Sequence, residues 1–403
     1  MILKELRIQG FRSLRDTKWN PGRLNVIIGP NGSGKSNLLH ALSMIAAAAD
    51  GHLADFVSEQ GGMSSLISAY KSDSVSWTAR LHDEHDIFTG EVTHQDSPYL
   101  LRYCSSIRRY PDSSYYQIES ETLDGAYDPA QLDTEPFPHL SRTGIDFSVK
   151  DGYETKDHLL AKGGQEREMA LAQIGAPLMG TKWTRRVKEN LSAWKIHHDF
   201  RTDRGSDVRQ PFITEYTSSL TSSGQNFPAV LHTLYAENRS FREEIDLAME
   251  AAYPGRYEAM SFGPSSAQRT EMRVEWKRVP RAINAAELSD GTLRFLFLLT
   301  VLSNPFPPPL IAIDEPETGL HPKMMQIVAE LAVDAALRTQ VIMTTHSDQF
   351  LDAFYDEKPS TTVATMEDGA TILQTVDDAE LKRFLKEFSL GSLYRSGELE
   401  AMV

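Results

Sequence analysis

The sequence predicts an α/β protein with a mixed or parallel core sheet, an antiparallel β subdomain and a helical insertion. Three observations carry this. A hydrophobic strand at 24–28 runs straight into a glycine-rich loop and a helix-periodic stretch; short alternating segments follow between 74 and 155; strand and helix patterns alternate from 310 to 345. The last is the rhythm of a parallel sheet covered by helices.

The elements follow in chain order. Apolar residues alternate at Leu3, Leu6 and Ile8, which reads as a strand rather than a secretory signal. After the glycine-rich loop, apolar residues recur at 38, 39, 42, 45, 46 and 49, the spacing of a helix. SVSWTARL, DIFTGEVTH, PYLLRYC, SYYQIES and IDFSVKDG are strand segments separated by turn-forming residues. Trp183, Val187, Leu191 and Trp194 fall on one helical stripe, where the tryptophans serve as core anchors. A second helix is expected from about Pro228 to Ala252, and MRVEWKRV as a returning strand. A helix presenting Met324, Ile327, Val328 and Leu331 separates strands at 310–313 and 341–345; a strand near 370–373 and a helical tail, AELKRFLKEF, close the chain. The expected divisions are an N-terminal lobe at 1–155, a mostly helical insertion at 156–285, a C-terminal lobe at 286–376 and a tail at 377–403.

A chain of 403 residues buries a core without metal or disulfide staples. Its one cysteine, Cys104, excludes an internal disulfide and fits a reducing cytoplasm; it reads as a small strand residue. No apolar run approaches the roughly 18 residues of a membrane span. The formal charge of −15 argues against a protein coated in nucleic acid over its whole surface. One window runs the other way: Lys182 to Arg209 holds eight lysines or arginines against four acids, plus His197 and His198. Nucleic-acid phosphates and an ordinary solvated helix face both explain it.

GPNGSGKS fits the eight-residue phosphate-loop pattern throughout. Gly29, Gly32 and Gly34 let the backbone turn its N–H groups toward oxyanions, with Pro30, Asn31 and Ser33 filling the loop. Lys35 carries charge to the terminal phosphates, Ser36 can bind Mg2+, and Asn37 opens the helix behind them. LIAIDE supplies a strand ending in two acids: Asp314 to hold Mg2+ through water, Glu315 to polarise the attacking water. Capping of a following helix would need one carboxylate, not two. VIMTTHS brings His346 to the same edge of the sheet as a sensor of the terminal phosphate, although a lone histidine is more often a surface or core residue. In LSDGTLR, Ser289 or Asp290 can cap the apolar helix starting near Thr292; alternatively Ser289, Gly291 and free N–H groups hold a second phosphate, one bound to another copy of the chain.

With these motifs in place, the chain resembles ATPase heads of the ABC superfamily, in the branch with the structural-maintenance, recombination-protein-F and overcoming-lysogenization-defect families. GPNGSGKS matches the Walker A loop, LSDGTLR the signature loop, LIAIDEPETGLHP Walker B with the D-loop, and TTHS the switch-histidine segment. NFPAVLHTL and FRSL agree with the branch as well. The resemblance implies a homodimer closing over two ATP molecules, with Ser289 of one copy facing Lys35 of the other. It makes Arg12 a phosphate or interface contact and Gln60 the glutamine-loop ligand of Mg2+. Asp290 stands where many transporters have glycine, which sets a transporter engine aside.

By the same resemblance the chain is a cytoplasmic, slow, regulatory ATPase. The stretch after His346 is too short for the Toprim nuclease that many relatives carry, so a separately encoded effector, possibly a nuclease, is the expected partner, in anti-phage defence. The alternative is a DNA repair or recombination ATPase that binds DNA directly. The tail residues Leu390, Leu393, Tyr394 and Leu399 form an apolar strip that either docks a partner or folds onto its own domain.

Overall fold

A computed structural model describes all residues except 69–71, 84–98, 112, 151–157, 162–164, 175–181, 266–267, 356–357, 386 and 403. The fold class is α/β, as expected. The chain divides into two compact units whose segments interleave: Met1–Gly22, Gly29–Trp194 and Thr362–Thr375 form the first; Arg23–Ile28, Lys195–Thr361 and Val376–Val403 form the second.

The first unit holds an antiparallel sheet. Its strands are β1 (Ile2–Phe11), β2 (Leu14–Trp19), β4 (Ser74–Asp83), β5 (Tyr99–Arg109), β6 (Tyr116–Ala126), β7 (Phe137–Thr143), β8 (Asp146–Val149) and β9 (His158–Ala161), β3 being Leu24–Ile28 of the second unit. The order is β2-β1-β4-β5-β6-β7-β8-β9. Strict alternation puts Val75, Trp77, Ala79 and Leu81 of β4 on the buried face. The helix Lys35–Asp50 buries Leu38, Leu39, Leu42, Ile45, Ala46 and Ala49, every position its spacing marked. Helix Lys182–Ser192 packs against it. A hairpin of β17 (Ser360–Glu367) and β18 (Ala370–Thr375) returns to this unit over 362–375.

The second unit holds the parallel strands. β10 (Lys195–His197), β15 (Leu310–Asp314), β16 (Gln340–Thr345) and β3 lie side by side in that order. All six residues of β16 are buried, as expected for a strand covered on both faces. Helices Asp290–Leu302 and Pro322–Ala336 pack against each other. A smaller antiparallel sheet runs β11 (Phe212–Ile213), β13 (Arg269–Trp276), β12 (Tyr257–Pro264), with β14 (Ile283–Asn284) also on β13. Among the described residues, no helix is long and apolar enough to cross a membrane.

Two expectations need correction. The segment expected as one helix from Pro228 to Ala252 is two, Phe227–Glu237 and Arg239–Ala252. Asn238 between them adopts an extended conformation, and its side chain caps the second helix by accepting from the Phe241 N–H at 2.9 Å. Trp194 lies beyond the end of helix Lys182–Ser192, buried, its indole bonded to Asn190 at 3.2 Å. Trp183 stacks on Tyr99 instead. DIFTGEVTH lies outside the described residues. The apolar tail strip turns inward: Leu390, Leu393 and Leu399 are buried, and the Gly391 N–H donates to Asp352 at 2.8 Å, so the tail folds onto its own chain.

Candidate functional site

In the first unit, the phosphate-loop motif opens the helix Lys35–Asp50. Gly29, Gly32 and Gly34 all have positive φ, the left-handed region that only glycine enters freely. Gly34 stands at the N-cap, and no side chain caps the helix among the described residues. This N-terminus is the positive end of the helix dipole, where an anion is stabilised. The Lys35 ammonium, buried, donates to the carbonyls of Gly29 at 2.6 Å and Pro30 at 3.0 Å. Ser33 Oγ is buried with no hydrogen-bond partner among the described residues, whereas Asn31, Gly32 and Ser36 are exposed. Uncapped amides, an orphan hydroxyl and a nearby ammonium are a donor set suited to phosphate oxygens.

A chain of polar contacts supports this loop. Arg12, itself at φ 48, donates to Gln60 Oε1 at 2.6 Å and to Asn37 Oδ1 at 3.4 Å. Asn37 donates to Ser13 Oγ at 2.8 Å, and Ser13 shares a hydrogen bond with Thr371 Oγ1 at 2.7 Å. Thr371 in turn donates to the Ser33 carbonyl at 3.0 Å. Arg12 and Gln60, which the sequence tied to the site by resemblance alone, thus bond to each other. Burial lowers the Arg12 pKa. Ser13 lies in FRSL beside Arg12 but was given no role, and no sequence signal marks Thr371.

The second unit assembles the acids. β15 ends at Asp314, registered against Thr344 of β16, and Thr345 is registered against Ile28, the last residue of β3 before Gly29. Thr344 Oγ1 donates to Asp314 Oδ1 and accepts from the Glu315 N–H at 3.1 Å. Glu315 has φ 45, an uncommon value for a non-glycine residue. Arg294 donates to its carbonyl at 3.0 Å. His346 Nδ1 lies 2.9 Å from Glu315 Oε1 and 3.9 Å from Glu317 Oε1. Glu317 is buried, accepts from Thr345 Oγ1, and leaves Oε2 with no partner among the described residues. Desolvation raises its pKa, the Thr345 bond opposing. His198, following β10, stands 4.0 Å from Asp314 Oδ2. Burial lowers the Arg294 pKa, against the pull of Glu317, Glu315, Asp199 and Asp314 around it.

Arg294, Glu317 and His198 were not singled out from the sequence. Arg294 closes the quoted LSDGTLR and Glu317 lies two residues past Glu315, so adjacency was the available signal.

The signature turn opens helix Asp290–Leu302. Ser289 is its N-cap, accepting from the Thr292 N–H at 3.2 Å and bonding Thr292 Oγ1 at 2.8 Å; such a cap stabilises a helix by about 1 kcal/mol. Gly291 has an intramolecular reason too: a Cβ there would lie 2.6 Å from the Gly319 carbonyl. His321 caps the next helix through Lys323 N–H at 3.3 Å.

Within each unit, part of the basic window is taken up by contacts of its own. Arg186 pairs with buried Asp83 at 2.5 Å, Lys188 donates to the carbonyls of Ala172 and Ile174, Arg201 pairs with Asp203, and Arg209 is buried.

The chain is an AAA-type ATPase domain with the fold of Smc head domains. The chain belongs to the family described as "AAA domain, putative AbiEii toxin, Type IV TA system", which matches residues 24–352. Membership supports nucleotide hydrolysis in general. An ATP/GTP phosphatase of Helicobacter pylori is 21% identical over 366 residues, 87% of each chain. Structural maintenance of chromosomes protein 3 of Caenorhabditis elegans is 46% identical over 56 residues, 13% of this chain but 4% of that protein. Among solved structures, an Smc head bound to the C-winged helix domain of ScpA superposes with TM-score 0.56 at 15% identity, covering 95% of this chain and 100% of that one. A Pyrococcus furiosus Smc head with an extended coiled coil, bound to the C-terminal domain of ScpA, gives 0.56 at 12%, covering 96% and 98%.

Proposed function

We propose that the chain hydrolyses ATP to ADP and phosphate with Mg2+, slowly, as a cytoplasmic homodimeric head that closes over two nucleotides and gates a separately encoded effector in defence against phage. The observation that carries this is the strand register. Asp314 and Thr345 end neighbouring parallel strands, and Ile28, paired with Thr345, leads covalently into the phosphate loop. Ligands of open α/β sheets bind beyond such carboxyl ends.

In this reading the Lys35 ammonium exchanges the Gly29 and Pro30 carbonyls for phosphate oxygens, and the uncapped helix amides bind the rest. Ser36 and Asp314, the latter through water, would hold Mg2+ with Gln60, whose Oε1 already accepts from Arg12. When bound, Mg2+ neutralises charge on the phosphates. Glu315 orients water and takes its proton, its carboxylate held by His346 and its backbone by Arg294 and Thr344. Ser289 of the second copy completes the phosphate contacts.

The effector reading draws on the toxin–antitoxin description of the family and on relatives solved as heads bound to a ScpA domain. The DNA-repair reading is the second choice, because Arg186, Lys188 and Arg209 of the basic window are engaged in contacts within the chain.

The test is Glu315→Gln in the full chain. ATP binding is expected to persist and hydrolysis to fall on the order of 10²- to 10⁴-fold, the worth of a positioned base. Sedimentation with ATP and Mg2+ should show a dimer. A variant that hydrolyses ATP at the parent rate removes Glu315 from the mechanism; a monomer under saturating ATP removes the dimer.

A further inference from the structure

The signature turn of this chain has aspartate at 290, and Asp290 is held by one residue 81 positions earlier in the chain. Arg209 NH2 donates to Asp290 Oδ1 at 2.7 Å. Its NH1 donates to the carbonyls of Ala285 at 3.2 Å, Ala286 at 3.1 Å and Leu288 at 2.7 Å, and its Nε to the Thr202 carbonyl at 2.6 Å. The Arg209 side chain is 8% exposed and that of Asp290 74%. One guanidinium therefore spends both terminal nitrogens on residues 285–290, which lead into and open helix Asp290–Leu302, while its Nε is anchored on Thr202.

Three backbone carbonyls converging on one point repel each other unless a cation sits among them. The guanidinium is that cation, and its planar set of five N–H groups reaches carbonyls and carboxylate together, which a lysine ammonium cannot. A trans peptide sets C=O and N–H antiparallel. Fixing the Leu288 carbonyl on Arg209 thus points the Ser289 N–H away from it; Ser289 itself is exposed. The bond to Arg209 also holds the Asp290 carboxyl below its ordinary range.

We propose that Arg209 is a positioning residue that presets the LSDGT turn, through Asp290 and the 285–288 carbonyls, for contact with the triphosphate on a second copy of the chain. The inference rests on the dimer reading above. It gives Asp290 a role that glycine in the transporter form of the motif cannot fill.

The test uses the full-length Glu315→Gln protein as parent, with a fluorescent ATP analogue to read affinity and sedimentation velocity in ATP and Mg2+ to read dimerisation. Arg209→Lys and Asp290→Ala should keep analogue affinity within about twofold. Their dimers should weaken about tenfold and about threefold respectively, within the span of a typical net hydrogen bond. Asp290→Asn keeps an acceptor oxygen and should dimerise like the parent. Because Asp290 is exposed, its pair of variants decides the matter even if Arg209→Lys folds poorly. Parent-like dimerisation of Asp290→Ala overturns the proposal, as does an Asp290→Asn protein as weak as Asp290→Ala. A parent that stays monomeric overturns the dimer reading and the preset turn with it, a result distinct from a dimerising parent with indifferent variants.

Discussion

The phosphate loop and the signature turn face the same kind of ligand in the proposed function, yet they are braced by opposite means. The loop is braced by neutral hydroxyls: Thr371 and Ser13 bond to each other, and Thr371 holds the Ser33 carbonyl. A buried guanidinium braces the turn. The difference follows from where the charge is wanted. Around the loop, Lys35 and the helix amides are the positive groups, and Arg12, a further cation in the supporting chain, bonds the side chains of Gln60 and Asn37 rather than loop carbonyls. Around the turn, the first-turn Asp290 and three carbonyls gather negative ends that need a counter-charge. Glycine is needed for both conformation and space at Gly34, and for space alone at Gly291.

Alanine at each glycine gives the largest expected effects and separates the two regions. At Gly34, φ is 96 and a Cβ would fall 1.9 Å from Thr371 Oγ1 and 2.9 Å from Ser13 Oγ. Strain and clash together should lower ATP affinity on the order of a hundredfold, read by titration with a fluorescent analogue. At Gly291 the obstacle is the rigid backbone carbonyl of Gly319 at 2.6 Å, so Gly291→Ala should bind ATP normally and fail to dimerise. If both variants lose nucleotide binding alike, the two regions are not separable and the contrast drawn between them fails.

Removing only the hydroxyl tests the neutral brace. Thr371→Val keeps the shape but drops both hydrogen bonds, one of which restrains the loop directly. A loss of about 1 to 2 kcal/mol in nucleotide binding, roughly tenfold, is expected, with Thr371→Ser restoring it. Unchanged affinity in the valine protein would make the Ser13–Thr371 contact a matter of folding alone.

Legibility divides along the same line. GPNGSGKS was readable because its parts are contiguous and each residue type has a local reason; so was LIAIDE, since a buried strand ending in acids is a local pattern. The braces were not. Thr371 lies 338 positions from Ser33, and Arg209 sat in a window that local composition marked only as basic. Much of the fold was legible by period, as Lys35–Asp50 and Ser74–Asp83 show. β10, three residues long, was not, because its place comes from pairing with β15 rather than from its own pattern. Asn238 was missed for a related reason: apolar spacing continues across it while its cap breaks the helix.

The smallest effect compares the units through acid. Each carries a buried neutral histidine: His139 in the first, whose Nε2 meets Tyr99 OH at 2.8 Å, and His197 in the second, whose Nδ1 meets the Ser222 carbonyl at 2.9 Å. Burial pulls each pKa down to about 4. Since the folded values lie below the unfolded value of about 6.5, the unfolded chain binds more protons between pH 6.5 and 4. Stability is therefore complete above about 6.5 and falls as the pH drops toward 4, by at most about 1.4 kcal/mol per pH unit per histidine. Thermal unfolding between pH 8 and 4 should show this slope, and His139→Gln should remove the share belonging to the first unit while leaving that of His197. An unaltered slope in that variant would mean His139 gains its proton without leaving the fold, and the acid response would then belong to the second unit alone.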